Sequence, residues 1–195
     1  MLGSMRKVSV DLYFKTAGQQ FRINNGPRLG CYEEVLNALF YQLTNLLSHH
    51  SKLLFLRLDL RVYDYARDNS QLTRWIRQTK RGLKSYFGFT RVGYLWVREL
   101  KRAQKQHYHL VLILDGNKVQ HPKNVFRIAK EAAYQCGMPV PWIPEKPYLK
   151  ICRGDKAQFD SAMYRGSYLA KTRTKQCGKR IRSFGSSNVK PRGAT

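Results

Sequence analysis

Two histidines, His107 and His109, open an apolar run that continues to Leu114. In a strand both imidazoles point to one face, about 7 Å apart along the chain. Such a pair can share a divalent ion, and His-x-His is also a common surface arrangement, so the pair alone leaves both readings open. Glu99 bears on the choice. It lies in a second β-like run, Gly93 to Leu100, separated from the first by the short basic stretch Lys101 to Gln106. Paired residues of a hairpin have a constant index sum. A loop with an odd number of residues therefore places Glu99 opposite or diagonal to the histidines, and an even one places it behind the sheet. A three-residue loop is the expectation, although this loop lacks the Gly such turns often use. Two neutral imidazoles and a carboxylate leave coordination positions open, which suits Mg²⁺ or Mn²⁺ that must also hold a phosphate. Asp59, on the polar face of an earlier strand, is a further candidate for the same neighbourhood.

A second set of reactive groups is Tyr164, Tyr168 and Lys171, inside a segment that reads as the last helix, Ala157 to Thr172. The i, i+4, i+7 spacing puts all three along one stripe. A phenol is a poor nucleophile until something stabilises phenolate, and a Lys one turn away together with a metal does so. Tyrosines at this spacing also pack on cores, so the set alone does not decide. Gly166 within a helix costs about 1 kcal/mol relative to Ala, and with Ser167 it is consistent with close approach of a ligand.

These residues need a framework, and the periodicities supply one. Glu33 to Leu47 has apolar residues at i, i+3 and i+4, as a helix does. Leu54 to Val62 alternates strictly, with Leu54, Leu56, Leu58, Leu60 and Val62 on one face and Arg57, Asp59 and Arg61 on the other. Asn69-Ser70 can cap a helix running to about Tyr86. Lys123 to Cys136 reads as a helix ended by Gly137 and a proline-rich loop, and Tyr148 to Cys152 as a short edge strand. The pattern predicts an α+β protein with a mostly antiparallel sheet of about five strands, flanking helices and an extra N-terminal helix. Residues 1–30 read as a polar, turn-rich extension, 31–174 as the folded domain and 175–195 as a flexible basic tail.

Composition narrows the partners. The 195 residues hold 36 Lys+Arg against 12 Asp+Glu, a formal charge of +24, while aromatics remain at 12%. A basic disordered tail would lack those rings, so this is a folded cationic protein whose self-repulsion suits a polyanion. No run of 18 apolar residues predicts a membrane span, and no signal-peptide core is evident. Four scattered cysteines without a Cys-x-x-Cys pair argue against a zinc ribbon or a disulfide scaffold and favour a reducing, cytoplasmic setting. Lys101, Arg102 and Lys105 beside the histidines, and Arg165, Arg173 and Lys175 around the tyrosines, are the expected nucleic-acid contacts.

In order along the chain, the alternating strand, Glu99-x₇-His107-x-His109 and Tyr164-x₃-Tyr168-x₂-Lys171 resemble the HUH endonucleases that initiate rolling-circle replication. Tyr168-Leu-Ala-Lys-Thr with the following Arg-Ser-Phe-Gly-Ser-Ser is similar to the inovirus replication-protein family, which includes prophage proteins of the YagK/YfjJ type. The resemblance covers roughly residues 50–187. It implies a ferredoxin- or RRM-like HUH fold and a Mg²⁺ or Mn²⁺ ion on Glu99, His107 and His109. It further implies nicking and joining of single-stranded origin DNA through a 5′-phosphotyrosine, in the bacterial cytoplasm, with a host helicase and polymerase acting around it. Ser167 stands where two-tyrosine enzymes often carry a second Lys, so Tyr168, with Lys171 at +3, is the expected nucleophile and Tyr164 an auxiliary one. Three other readings compete: a non-catalytic single-stranded nucleic-acid-binding module, a nuclease using metal-activated water, and a structural basic protein.

Overall fold

A computed structural model describes residues 7–26, 29–100, 106–172 and 182–194. Nine strands and four α-helices are found among them, in the order β1 (Val8–Ser9), β2 (Tyr13–Thr16), β3 (Gln19–Arg22), β4 (Cys31–Tyr32), α1 (Glu33–His49), β5 (Lys52–Arg61), α2 (Ser70–Phe87), β6 (Gly93–Leu100), β7 (Gln106–Asp115), α3 (Lys123–Gln135), β8 (Tyr148–Cys152), α4 (Lys156–Gly166) and β9 (Phe184–Ser186). A 3₁₀ turn, Ser167–Ala170, follows α4. The α+β class and the antiparallel five-stranded sheet expected from the periodicities are both present, with strand order β8-β5-β7-β6-β9. No helix among the described residues is long and apolar enough to cross a membrane.

The sheet is covered on both faces, but not along its whole length. Leu54, Leu56, Leu58 and Leu60 of β5 pack with Leu110 and Leu112 of β7 against α2 and α3, which lie on one side. On the other side Leu53 and Phe55 join Val111, Ile113, Leu95 and Val97 under α1 and α4. Further along that second face β5 carries Arg57, Asp59 and Arg61, and the burial alternates instead of being continuous. A polar residue there would be stranded beneath a helix, so the polar half of the face is the uncovered half.

The N-terminal segment departs from the expected extension. β2 and β3 form a hairpin whose two-residue turn, Ala17-Gly18, has φ of 48° and 71°. Both central residues being left-handed matches a type I′ turn, and Gly18 takes that conformation without penalty. The hairpin delivers Phe14, Phe21 and Ile23 to the core, with the Phe21 ring 5.6 Å from Phe40 and 5.5 Å from Phe159. The C-terminal segment also differs from a flexible tail where it is described. β9 pairs with the edge of β6, and Gly185 lies against Trp96, where a Cβ would come within 2.7 Å of the indole. Cys136 and Cys152 are free thiols.

Gly166 has a packing role in place of the ligand approach suggested by sequence. A Cβ on it would sit 2.6 Å from Leu39 of α1, so its bare backbone lets α4 close on α1. Overpacking of this kind costs typically about 1–3 kcal/mol. Gly166→Ala is therefore expected to lower stability by that order in urea denaturation, despite the better helix propensity of Ala.

Candidate functional site

Strand register assembles the first half of the site. Glu99 lies directly across from His107, and Asp59 directly across from His109. The index sum of the β6–β7 pair is even, because five positions separate the paired Leu100 and Gln106; the odd parity is as expected, and the separation is longer than three. Glu99, His107 and His109 thus share the uncovered face. Glu99 Oε2 is 2.8 Å from His107 Nε2 and 3.1 Å from His109 Nε2. Three donor atoms lie within 4.8 Å of one another, a possible metal-binding triad. Two imidazole nitrogens and a carboxylate oxygen converging so closely are a fitting donor set for a divalent cation.

Asp59 stands behind that triad instead of within it. Its Oδ1 is 2.8 Å from His109 Nδ1, the ring nitrogen turned away from Glu99. The approach is oblique, so the contact is a charge pairing and not an aligned hydrogen bond. A carboxylate at the far nitrogen of a ligating His fixes the ring's orientation and raises its basicity. Burial pushes the His109 pKa down, but Asp59 and Glu99 together outweigh it and hold the pKa above the ordinary imidazole value. A ligating His must be neutral, so ion binding has to displace this proton. Mn²⁺ uptake is therefore expected to release protons below the elevated pKa and to tighten as pH rises through it. Calorimetric titrations in two buffers of different ionisation enthalpy measure that release.

Tyr168 completes the site, and the way it arrives was not foreseen. The expected helix over 157–172 ends at Gly166 and tightens into the 3₁₀ turn. Ser167 is fully buried; its Oγ accepts from Asn24 N at 2.8 Å and donates to Tyr164 O at 2.7 Å. Lys171 lies past the turn, in a bridge with Cys31. The change of pitch breaks the predicted stripe. Tyr168 lines the cleft, with its ring edge-to-face on His109 at 5.3 Å. The Arg57 guanidinium sits over the same ring at 4.1 Å, and Lys171 Nζ is 5.0 Å from its centre. Tyr164 instead lies on the outer surface of α4 near Arg22, and is not among the cleft-lining residues described.

The cleft, of about 1000 Å³, is floored by Arg57, Asp59, His107 and His109 and walled by Tyr63, Tyr65 and Trp142. Trp142 is fixed there by two backbone hydrogen bonds to Asp59, each 2.9 Å. The Tyr63–Tyr65 wall is tied down from the sheet's other face. Buried Arg98 donates to the carbonyls of Ala66 and Asp68, and Gln106 and Tyr108 extend the network to Asn69. Trp75 and Trp96 are core residues, leaving Trp142 as the exposed indole.

The expected DNA contacts fare unevenly. Arg165 donates to the carbonyls of Tyr148 and Lys146, and burial, then the nearby Arg57, draws its pKa down. It braces α4 against β8 and the loop before it. Lys101, Arg102, Lys105, Arg173 and Lys175 lie outside the described residues. Arg57 was legible only as a polar-face residue of β5, and its place over Tyr168 had no sequence signal beyond that parity.

Comparison with known proteins gives a consistent outline. The family model described as the YagK/YfjJ C-terminal domain matches residues 19–187. The protein YfjJ of Escherichia coli (strain K12), described as uncharacterized, is 29% identical over 111 residues, which cover 48% of this chain and 53% of YfjJ. The matched region thus spans about half the length of that relative. No solved structure matches. With its sheet, its hairpin from β3 onward and its whole candidate site inside the matched region, the chain belongs to the YagK/YfjJ C-terminal domain family.

Proposed function

We propose that this protein is a metal-dependent strand transferase of the HUH endonuclease type, which nicks and rejoins single-stranded DNA through Tyr168 and so initiates rolling-circle replication. The observation that carries the reading is the meeting of Tyr168 with His107 and His109 in one cleft, with Glu99 against both histidines. The sheet supports it too. β5-α2-β6 and β7-α3-β8 are two strand–helix–strand units with both helices on one face, and β8-β5-β7-β6 is the order of a ferredoxin-like fold.

Glu99, His107 and His109 would hold a divalent ion, which would supply positive charge at the scissile phosphate. The nitrogen-rich donor set favours Mn²⁺ over Mg²⁺, which prefers oxygen ligands throughout. The remaining work falls to the chain. Tyr63, Tyr65 and Trp142 offer exposed rings on which unstacked bases rest. Tyr168 Oη attacks phosphorus in line and the P–O3′ bond breaks; O3′ takes a proton from solvent and leaves as the 3′-hydroxyl of the upstream fragment, while the 5′-phosphate of the downstream fragment stays on the tyrosine. Arg57 and Lys171 hold positive charge beside the phenol as it loses its proton to solvent and becomes the nucleophile. The reverse attack by a 3′-hydroxyl reseals the strand, with no nucleotide cofactor consumed.

The test is incubation with single-stranded oligonucleotides tiled across the DNA flanking the gene, in Mn²⁺, followed by denaturing electrophoresis. The expected product is a protein–DNA adduct that survives SDS and is absent in EDTA. Cleavage without adduct points to a water nucleophile. Binding without cleavage of any strand, unaffected by EDTA, points to a non-catalytic binding module.

A further inference from the structure

Much of the positive charge lies away from the cleft. A second groove, of about 1350 Å³, runs between α2 and the 187–194 segment. Arg77, Lys80, Arg81 and Lys84 project from α2, all exposed, at the three- and four-residue spacing that keeps them on one side of a helix. Arg91 closes one end, and Lys190 and Arg192 stand on the opposite wall. No Asp or Glu is among the described residues that line it. The metal cleft, by contrast, sets Asp59 and Asp64 against Arg57 and Arg61.

The second wall is built, not draped. Polar side chains along α1 grip its main chain in succession: Gln42 Nε2 donates to Ser187 O at 2.6 Å, Asn45 Nδ2 to Val189 O at 2.8 Å, and Ser48 Oγ accepts from Arg192 N at 2.8 Å. Gln42 is buried, so these bonds hold the wall in place before any ligand arrives. Two cationic walls at fixed separation fit a polyanion, and the size exceeds that of most small-molecule pockets, about 300–1,000 Å³.

We propose that this groove is a second nucleic-acid site, which holds the sugar–phosphate backbone of double-stranded DNA. A single strand is bound through stacking as well as charge. Among the described residues the groove has no exposed Phe, Tyr or Trp ring for that purpose: Phe89 is buried, and Tyr94 is packed against the core. The cleft has three such rings, with Tyr63 74%, Trp142 52% and Tyr65 42% exposed. Backbone contacts without base contacts are how a duplex is held irrespective of sequence. Along β6, Tyr94 in the groove and Glu99 of the triad are five residues, about 17 Å, apart. The two sites can therefore engage a duplex and an adjoining single strand at once.

Binding of a fluorescent 20-base-pair duplex, measured by anisotropy across a salt series in EDTA, separates this site from the chemistry of the cleft. Arg77→Gln with Arg81→Gln should weaken duplex binding roughly tenfold or more and reduce the salt slope by nearly 2, at about 0.9 per lost phosphate contact. Lys80→Gln with Lys84→Gln should do the same independently. Both pairs should leave cleavage of a short single strand unchanged, and His107→Ala should leave duplex binding unchanged, even if no cleavage is ever found. Unaltered slopes in both groove pairs would overturn the proposal. So would equal weakening of single-strand binding, or a duplex bound no tighter than polyglutamate of equal charge.

Discussion

Tyr168→Phe is expected to abolish the covalent protein–DNA adduct, while Tyr164→Phe leaves it largely intact. Removing one hydroxyl changes almost nothing else at this position. The ring would still meet His109 edge-on and lie under Arg57, contacts that do not involve the oxygen. What disappears is the only atom on that side chain able to attack phosphorus, so the loss in adduct formation should be roughly a thousandfold or more. Tyr164 provides the internal control. It is 39% exposed and near Arg22, on the far side of the change from α-helix to 3₁₀ turn. Adduct counts from single-turnover reactions decide the matter. A Tyr168→Phe protein that still forms adduct at the wild-type rate removes Tyr168 from the reaction, and loss in both variants makes the tyrosines joint participants.

Loss of the triad should be almost as severe. His109→Ala removes one donor nitrogen and the imidazole that contacts both Glu99 and Asp59, so ion binding and cleavage are both expected to fall by at least about a hundredfold. Mn²⁺ binding is read directly by electron paramagnetic resonance of the free ion, without reference to DNA. Asp59→Asn is the more informative partner variant. It keeps all three donors and takes away the charge that Asp59 sets against His109 Nδ1 and Arg57, so affinity should weaken by roughly 10–100-fold with the stoichiometry unchanged. If Asp59→Asn changes neither affinity nor proton release, the orienting role assigned to it is wrong. If His109→Ala leaves Mn²⁺ binding intact, the triad is not the metal site.

The same residues show where sequence reasoning succeeds. The period of two along β5 separated Leu54, Leu56, Leu58 and Leu60 from Arg57, Asp59 and Arg61, and hairpin parity put Glu99 with the histidines; both arguments are local. The amphipathic runs of α1, α2 and α3 were similarly plain, since each carries its own apolar face. The misses were of another kind. Over four residues, the 3.6 and 3.0 periods of α and 3₁₀ helices cannot be told apart, so the break after Gly166 was invisible. Ala17-Gly18 is a weaker hairpin signal than Asn-Gly, and the four-residue strands beside it are too short to alternate legibly.

By itself, then, the sequence determined the element order from α1 to α4, which face of β5 is polar, and a cationic character that suits a polyanionic partner. All three are properties of neighbouring residues or of the sum of them. Tertiary structure alone decided which part of the polar face stays open, that Tyr168 and not Tyr164 reaches it, and that Arg57 lies over the phenol. It also made Gly166 a contact with Leu39, and Phe184–Ser186 a strand. Each of these depends on partners distant in sequence, such as Asn24 for Ser167 or Gln42 for Ser187. Such contacts gain their energy only when the chain closes on itself, and no window of sequence contains both halves.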